Sequence, residues 1–219
     1  MAINIKKYKE LTKEFDSKKV QLIAVSKGKT VADIVELYKA GQRDFGENYV
    51  QELIEKQEAL KDYDINWHFI GHLQTNKVKL IAPFIHLIQS VDSLKLLQEI
   101  NKLAERSHRT VDCLLQIFIS NEETKFGLDA NQLTDIINEY NFGNLPNVNI
   151  KGLMGIASLT DNQAQIKKEF QQLQKLCKKY PELSVLSMGM SLDYNIAIEA
   201  GSNMVRVGSL IFGERKKKA

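Results

Sequence analysis

The segment Gln21-Leu22-Ile23-Ala24-Val25-Ser26-Lys27 is an apolar, β-branched run that stops abruptly at a lysine. A short run of this kind reads as a buried strand. In parallel α/β folds ligands gather outside the carboxyl ends of the strands, so a strand here carries Lys27 to such a mouth. Working outward, residues 5–15 place apolar side chains at helical spacing among lysines and read as a surface helix before the first strand. Residues 30–40 read as the helix after it, with Thr30 as cap and Gly41 as stop.

The alternation continues along the chain. Strands are expected at 42–46, 65–70, 86–90, 111–119, 148–153, 184–188 and 204–207. Helices are expected at 47–60, 74–81, 93–106, 131–140, 162–179 and 194–200. Eight strands alternating with helices argue for a parallel sheet, and the economical closure is one α/β domain spanning 1–219, a single (β/α)8 TIM-type barrel with an extra amino-terminal helix. An open doubly wound sheet is the alternative.

Composition narrows the class. Hydrophobic residues make up 43% and charged residues 26% of the 219, which is ordinary for a globular chain, and the net charge of +3 is scattered rather than striped. Nothing demands a nucleic-acid or membrane partner. The basic run Arg215-Lys216-Lys217-Lys218 reads as a solvated tail. Cys113 and Cys177 have neither disulfide nor zinc spacing, no signal peptide is evident between Met1 and Glu10, and no stretch reaches membrane-spanning length. The expected compartment is the cytoplasm.

Barrels often bind phosphate in the loops after strands seven and eight. Those loops here hold Gly189-Met190-Ser191 and Gly208-Ser209, small residues whose amides and hydroxyls suit an anion. A phosphate cradle beside a lysine suggests either a phosphorylated substrate or pyridoxal 5′-phosphate (PLP) held as a Schiff base. Burial among strand ends favours the free amine that such chemistry needs. Lys29, Lys77 and Lys125 also fall near strand ends and are further candidate amines, with solvation as the default for each. Glu122 and Glu123 are a loop charge pair. His68 and His72 lack a third ligand, so no metal site is expected, and no paired carboxylates or Ser-His-Asp set marks a catalytic residue.

Several stretches together resemble the pyridoxal-phosphate homeostasis protein family: Ala24-Val25-Ser26-Lys27, Phe45 to Glu52, Trp67 to Lys77, Lys151-Gly152-Leu153-Met154, Leu186 to Ser191 and Val205 to Arg215. They run in order over nearly the whole chain. The resemblance implies a barrel similar to the amino-terminal domain of alanine racemase, with PLP on Lys27, its phosphate on Ser191, Gly208 and Ser209, and Arg206 facing the pyridine nitrogen. Asn48 resembles a residue lining the cofactor pocket, although capping of the next helix explains it too. Gly28, Thr30, Asn203 and Ser209 depart from the family pattern, and Gly28 is expected to loosen the loop after Lys27.

The resemblance further implies a monomeric, non-catalytic carrier that supplies PLP to apo-enzymes. Racemisation on this scaffold uses a base from a carboxy-terminal domain, and this chain stops at Ala219. The competing expectations are a small PLP-dependent racemase or lyase, and a cofactor-free lysine aldolase acting on a phosphorylated sugar.

Overall fold

A computed structural model of the chain describes residues 3–120 and 126–213. Lys125, Glu122, Glu123 and the basic run 215–218 lie outside the described residues. Eight parallel strands close into a barrel in sequence order: β1 (Gln21–Val25), β2 (Asp44–Glu47), β3 (Asn66–Phe69), β4 (Leu87–Val91), β5 (Val111–Ile117), β6 (Val148–Gly155), β7 (Val185–Met190) and β8 (Met204–Val207). The pairing of β1 with β8, Ile23 opposite Arg206 and Ala24 opposite Val207, completes the ring. The open-sheet alternative is therefore excluded.

Helices α1 (Ile5–Ser17), α2 (Val31–Lys39), α3 (Val50–Ala59), α4 (Val78–Ile81), α5 (Leu94–Arg106), α6 (Ala130–Asn141), α7 (Gln163–Cys177), α8 (Tyr194–Glu199) and α9 (Ser209–Phe212) surround it. α1 is the extra helix. Asn4 donates to the Ile211 carbonyl, and Phe15 meets Tyr194 edge to face at 5.3 Å, which ties α1 to the last two helices. No described helix is long and apolar enough to cross a membrane.

Strand alternation divides the core into two compartments. Leu22, Ala24, Phe45, Trp67, Phe69, Val205 and Val207 point outward and pack under the helices. Ile23, Leu87, Leu114, Met154 and Met204 form a separate apolar plug inside the barrel. The plug is tight at Gly46, where an added Cβ would lie 3.0 Å from Ile23 and 3.1 Å from Ile70.

Local chemistry explains both the agreements and the shifts. Thr30 and Asp33 form a reciprocal capping box on α2, and Ser93 caps α5 through the Leu96 amide. The second unit departs from expectation: the strand runs to Glu47 and the helix begins only at Val50. Gln42 is drawn out of the ladder because its side chain donates to the carbonyls of Leu22 and Asp44. Glu47 ends the strand, buried, rather than starting a helix. The expected helix at 74–81 splits into a 3-10 turn at Thr75–Lys77 followed by α4, and α9 is an addition that periodicity over four residues does not reveal.

Candidate functional site

A cavity of about 950 Å³ opens at the carboxyl ends of the strands. Lys27, Asn48, Ser191, Arg206, Gly208 and Ser209, the six residues singled out in the sequence, all line it. They arrive from the ends of β1, β2, β7 and β8.

The loop that presents Lys27 is held on three sides. The Ser26 hydroxyl donates to Glu47 Oε1 at 2.6 Å, Lys56 Nζ donates to the Ser26 carbonyl at 2.7 Å, and the Gly28 amide donates to Glu52 Oε1 at 2.5 Å. Lys56 also pairs with Glu47 at 2.7 Å and Glu52 at 2.6 Å, so one buried ammonium unites the clamp. Gly28 sits at φ +71°, a conformation glycine adopts without strain. Gly28 is anchored by its amide, and the freedom that glycine brings to this position is used for the turn itself.

Asn48 does not cap α3; Tyr49 occupies the cap position, without a side-chain bond. Its place at the cavity wall is set instead by Gly71, where any Cβ would collide with the Asn48 backbone. Asn48 Oδ1 is buried and has no partner among the described residues. An amide oxygen left in that state on a cavity wall is an acceptor awaiting a donor.

The other side of the cavity is built from the loops after β7 and β8. The Gly208 amide donates to Ser191 Oγ at 3.2 Å, which joins the two loops and leaves the Ser191 proton to be donated elsewhere. Gly189 has φ +93°, and a Cβ there would lie 2.5 Å from that of Ala197, so only glycine lets α8 pack this close behind Ser191. Arg206 is 4% exposed; its Nη1 donates to Ser187 Oγ at 2.6 Å and its Nη2 to the Gly155 carbonyl at 3.0 Å. Burial pushes its pKa down to about 10 against the opposing charge of Asp193, which still leaves a cation at neutral pH.

The remaining sequence candidates disperse. Lys29 lines the cavity, but its Nζ donates to the carbonyls of Phe212 and Gly213 and so caps α9. Lys77 ends the 3-10 turn and does not line the cavity. His72 pairs with Asp92 at 3.0 Å and stacks on Phe126. His68 is fully buried inside the barrel, its Nε2 3.0 Å from Asp44 Oδ1. The donor atoms of Asp44, His68 and His86 lie within 4.8 Å of one another, yet both ring nitrogens of His68 are already committed, to Asp44 and Gln89.

Two sets of residues escaped the sequence reading. One is the Glu47-Glu52-Lys56 clamp, whose faint signal is the Glu52–Lys56 i,i+4 spacing. The other is the loop after β6, where Ala157 to Asp161 line the cavity and Glu169 receives both the amide and the hydroxyl of Ser158 at 2.7 Å.

The pair formed by buried His68 and partly buried Asp44 makes stability depend on pH. Burial holds the His68 pKa below its ordinary value, with Asp44 opposing. Burial alone would raise Asp44, but the hydrogen bond and charge of His68, aided by Asn66 and Gln21, hold it low. Both groups bind fewer protons folded than unfolded, so their stabilisation is complete above the unfolded pKa and is lost as pH falls through the folded value. The His68 window opens below about pH 6.5. Urea midpoints measured from pH 7 to pH 5 should therefore show a His68 contribution that declines with acidification, and His68→Gln should flatten that part of the curve; an equally steep decline in the variant would refute it.

Residues 1–216 match the family model described as the alanine racemase N-terminal domain. Among curated relatives, the pyridoxal phosphate homeostasis protein of Aquifex aeolicus is 42% identical over 201 residues, covering 90% of this chain and 87% of that one. The human protein of the same name is 44% identical over 211 residues, covering 89% and 76%. Among solved structures, PipY of Synechococcus elongatus with PLP bound superposes with a TM-score of 0.82 at 38% identity, over 89% of this chain and 93% of that chain. Alanine racemase of Clostridium difficile shares the fold at a TM-score of 0.77 and 14% identity, covering 99% of this chain and 59% of its own. The chain belongs to the pyridoxal phosphate homeostasis protein family, built on the barrel of the alanine racemase N-terminal domain.

Proposed function

We propose that residues 1–219 act as one PLP-binding domain, a cytoplasmic monomer that holds the cofactor as a Schiff base on Lys27 and yields it to apo-enzymes without turning it over. The observation that carries this reading is convergence: the ends of four strands bring Lys27, Asn48, Ser191, Arg206, Gly208 and Ser209 to one cavity. The names of the relatives and the PLP bound to PipY support the choice of ligand. The cations on the cavity wall suit a phosphorylated group, and Asn48 Oδ1, without a partner among the described residues, suits a hydrogen-bond donor on the same ligand.

When bound, the cofactor supplies an aldehyde that condenses with an amine, with loss of water. The protein's share is placement. The clamp on Ser26 and Gly28 presents the amine between two fixed points. Ser191, accepting from Gly208, keeps its own proton for the phosphate, and Ser209 heads α9 beside it. Arg206 can only donate, so opposite the ring nitrogen it disfavours protonation there and weakens the electron sink that turnover requires. The ionisable side chains lining the cavity among the described residues are Lys27, Lys29, Asp161, Asp193 and Arg206, with Lys29 bonded to two carbonyls and Asp193 accepting from the Met190 amide. That set favours holding the cofactor over spending it.

Purified protein incubated with PLP should turn yellow, and mixing it with a PLP-dependent apo-enzyme should restore that enzyme's activity. Racemase or transaminase turnover by the purified protein would sink the carrier reading. A colourless protein that condenses phosphorylated sugars would favour the aldolase instead.

A further inference from the structure

The proton positions inside the barrel can be deduced from one residue. Arg206 has donors and no acceptor, so the 2.6 Å contact with Ser187 makes Ser187 Oγ an acceptor. The Ser187 proton is directed to its other neighbour, Gln89 Oε1, at 2.7 Å. With its oxygen so assigned, the Gln89 amide turns its nitrogen toward His68 Nδ1 at 3.2 Å and Met204 Sδ at 3.3 Å. His68 Nδ1 must therefore be bare, and the ring's proton lies on Nε2, donated to Asp44 Oδ1 at 3.0 Å. Every bond points the same way, from a buried cation on β8 across β7, β4 and β3 to a carboxylate at the start of β2. Ser187, Gln89 and His68 are each fully buried, so water does not interrupt the series.

We propose that Ser187, Gln89, His68 and Asp44 are positioning residues for Arg206, forming a one-way hydrogen-bond chain that fixes the guanidinium at the cavity wall and locks His68 as the neutral Nε2–H tautomer. Neutral partners oriented alike polarise one another, so the chain links the guanidinium to a counter-charge on the far side of the barrel. Protonating Nδ1 would set it against the Gln89 Nε2–H donor, and turning the Gln89 amide would set its oxygen against the bare Nδ1. The proposed function enters only in the consequence for the cofactor: an arginine that is free to swing offers the ring nitrogen a poorer partner.

The chain itself is tested without cofactor. Nitrogen-15 NMR of histidine-labelled apo-protein at neutral pH should show His68 as a single Nε2–H tautomer. Ser187→Ala frees the Gln89 amide to turn, and the Nδ1–H tautomer should appear. Gln89→Glu, which keeps the shape but presents only acceptors, should drive His68 to carry a proton on Nδ1. A wild-type His68 protonated on Nδ1 overturns the chain, as does a tautomer unmoved by both variants. In a second arm, the PLP dissociation constant should rise about tenfold in Ser187→Ala, the scale of one lost charged hydrogen bond. Unchanged affinity in that variant, with the wild type binding PLP, refutes the positioning role and leaves the proposed function standing.

Discussion

Replacing Lys27 with alanine is expected to abolish borohydride fixation of PLP while leaving the protein as stable as the wild type. Reduction converts a Schiff base into a secondary amine that survives digestion, so in the wild type the mass label should fall on the peptide carrying Lys27. The loss should be complete because, among the described residues, the other amine lining the cavity is Lys29, whose Nζ lies 2.9 Å from the Phe212 carbonyl and 3.1 Å from that of Gly213. Stability should change by no more than about 0.5 kcal/mol, the usual range for a substitution outside the core. The bonds that Ser26 and Gly28 make to Glu47, Lys56 and Glu52 survive the change. Weak non-covalent binding through the phosphate loops should persist and be visible as retention of PLP on dialysis without the yellow colour of the adduct. A variant that remains yellow, with the label on another lysine, refutes Lys27 as the site.

The architecture was readable because strand and helix periods differ and alternate over the whole chain. Ile23 inward and Leu22 outward, or Arg206 inward and Val207 outward, follow from a period of two. Helix ends marked by Thr30 and Ser93 were equally legible, since a capping side chain acts within three residues of its own position. Part of the cavity was legible for a different reason: a parallel barrel delivers strand ends to one face whatever lies between them, so Lys27 and the loops holding Ser191, Gly208 and Ser209 could be placed together, whereas Asn48 and Arg206 entered only through the family resemblance.

What stayed hidden depends on contacts between neighbouring units. Glu47 looks like a good first-turn residue because acidic groups suit helix amino termini. Its actual partner is Lys56, nine residues on and facing back from α3, and nothing in either residue's immediate surroundings announces burial. Gln89 and Ser187, 98 positions apart, each read as an isolated polar interruption in an apolar strand. Only closure of the ring turns them into partners.

That hidden clamp should have a large effect on stability. Lys56→Met is expected to destabilise the fold by about 3 to 5 kcal/mol at pH 7, the cost of leaving a buried carboxylate without its counter-charge. Glu47 is fully buried, its Oε2 has no partner, and Lys56 supplies the one cation within reach of its Oε1 among the described residues. Burial raises the Glu47 pKa and Lys56 opposes that rise, so removing the lysine lifts it further. A raised folded pKa gives stabilisation that is complete below the unfolded value, about 4.3, and is lost as pH climbs through the folded one. The deficit of Lys56→Met against wild type in urea unfolding should therefore be larger at pH 7 than at pH 5. Adding Glu47→Gln should recover much of it, since the amide removes the unpaired charge while keeping an acceptor for Ser26. A single variant with a wild-type urea midpoint, or a deficit that grows on acidification, would refute the buried ion pair as the element that holds the loop. The same variant should weaken PLP binding even where the protein remains folded, because Lys56 grips the Ser26 carbonyl next to Lys27 and holds Glu52, which in turn holds Gly28.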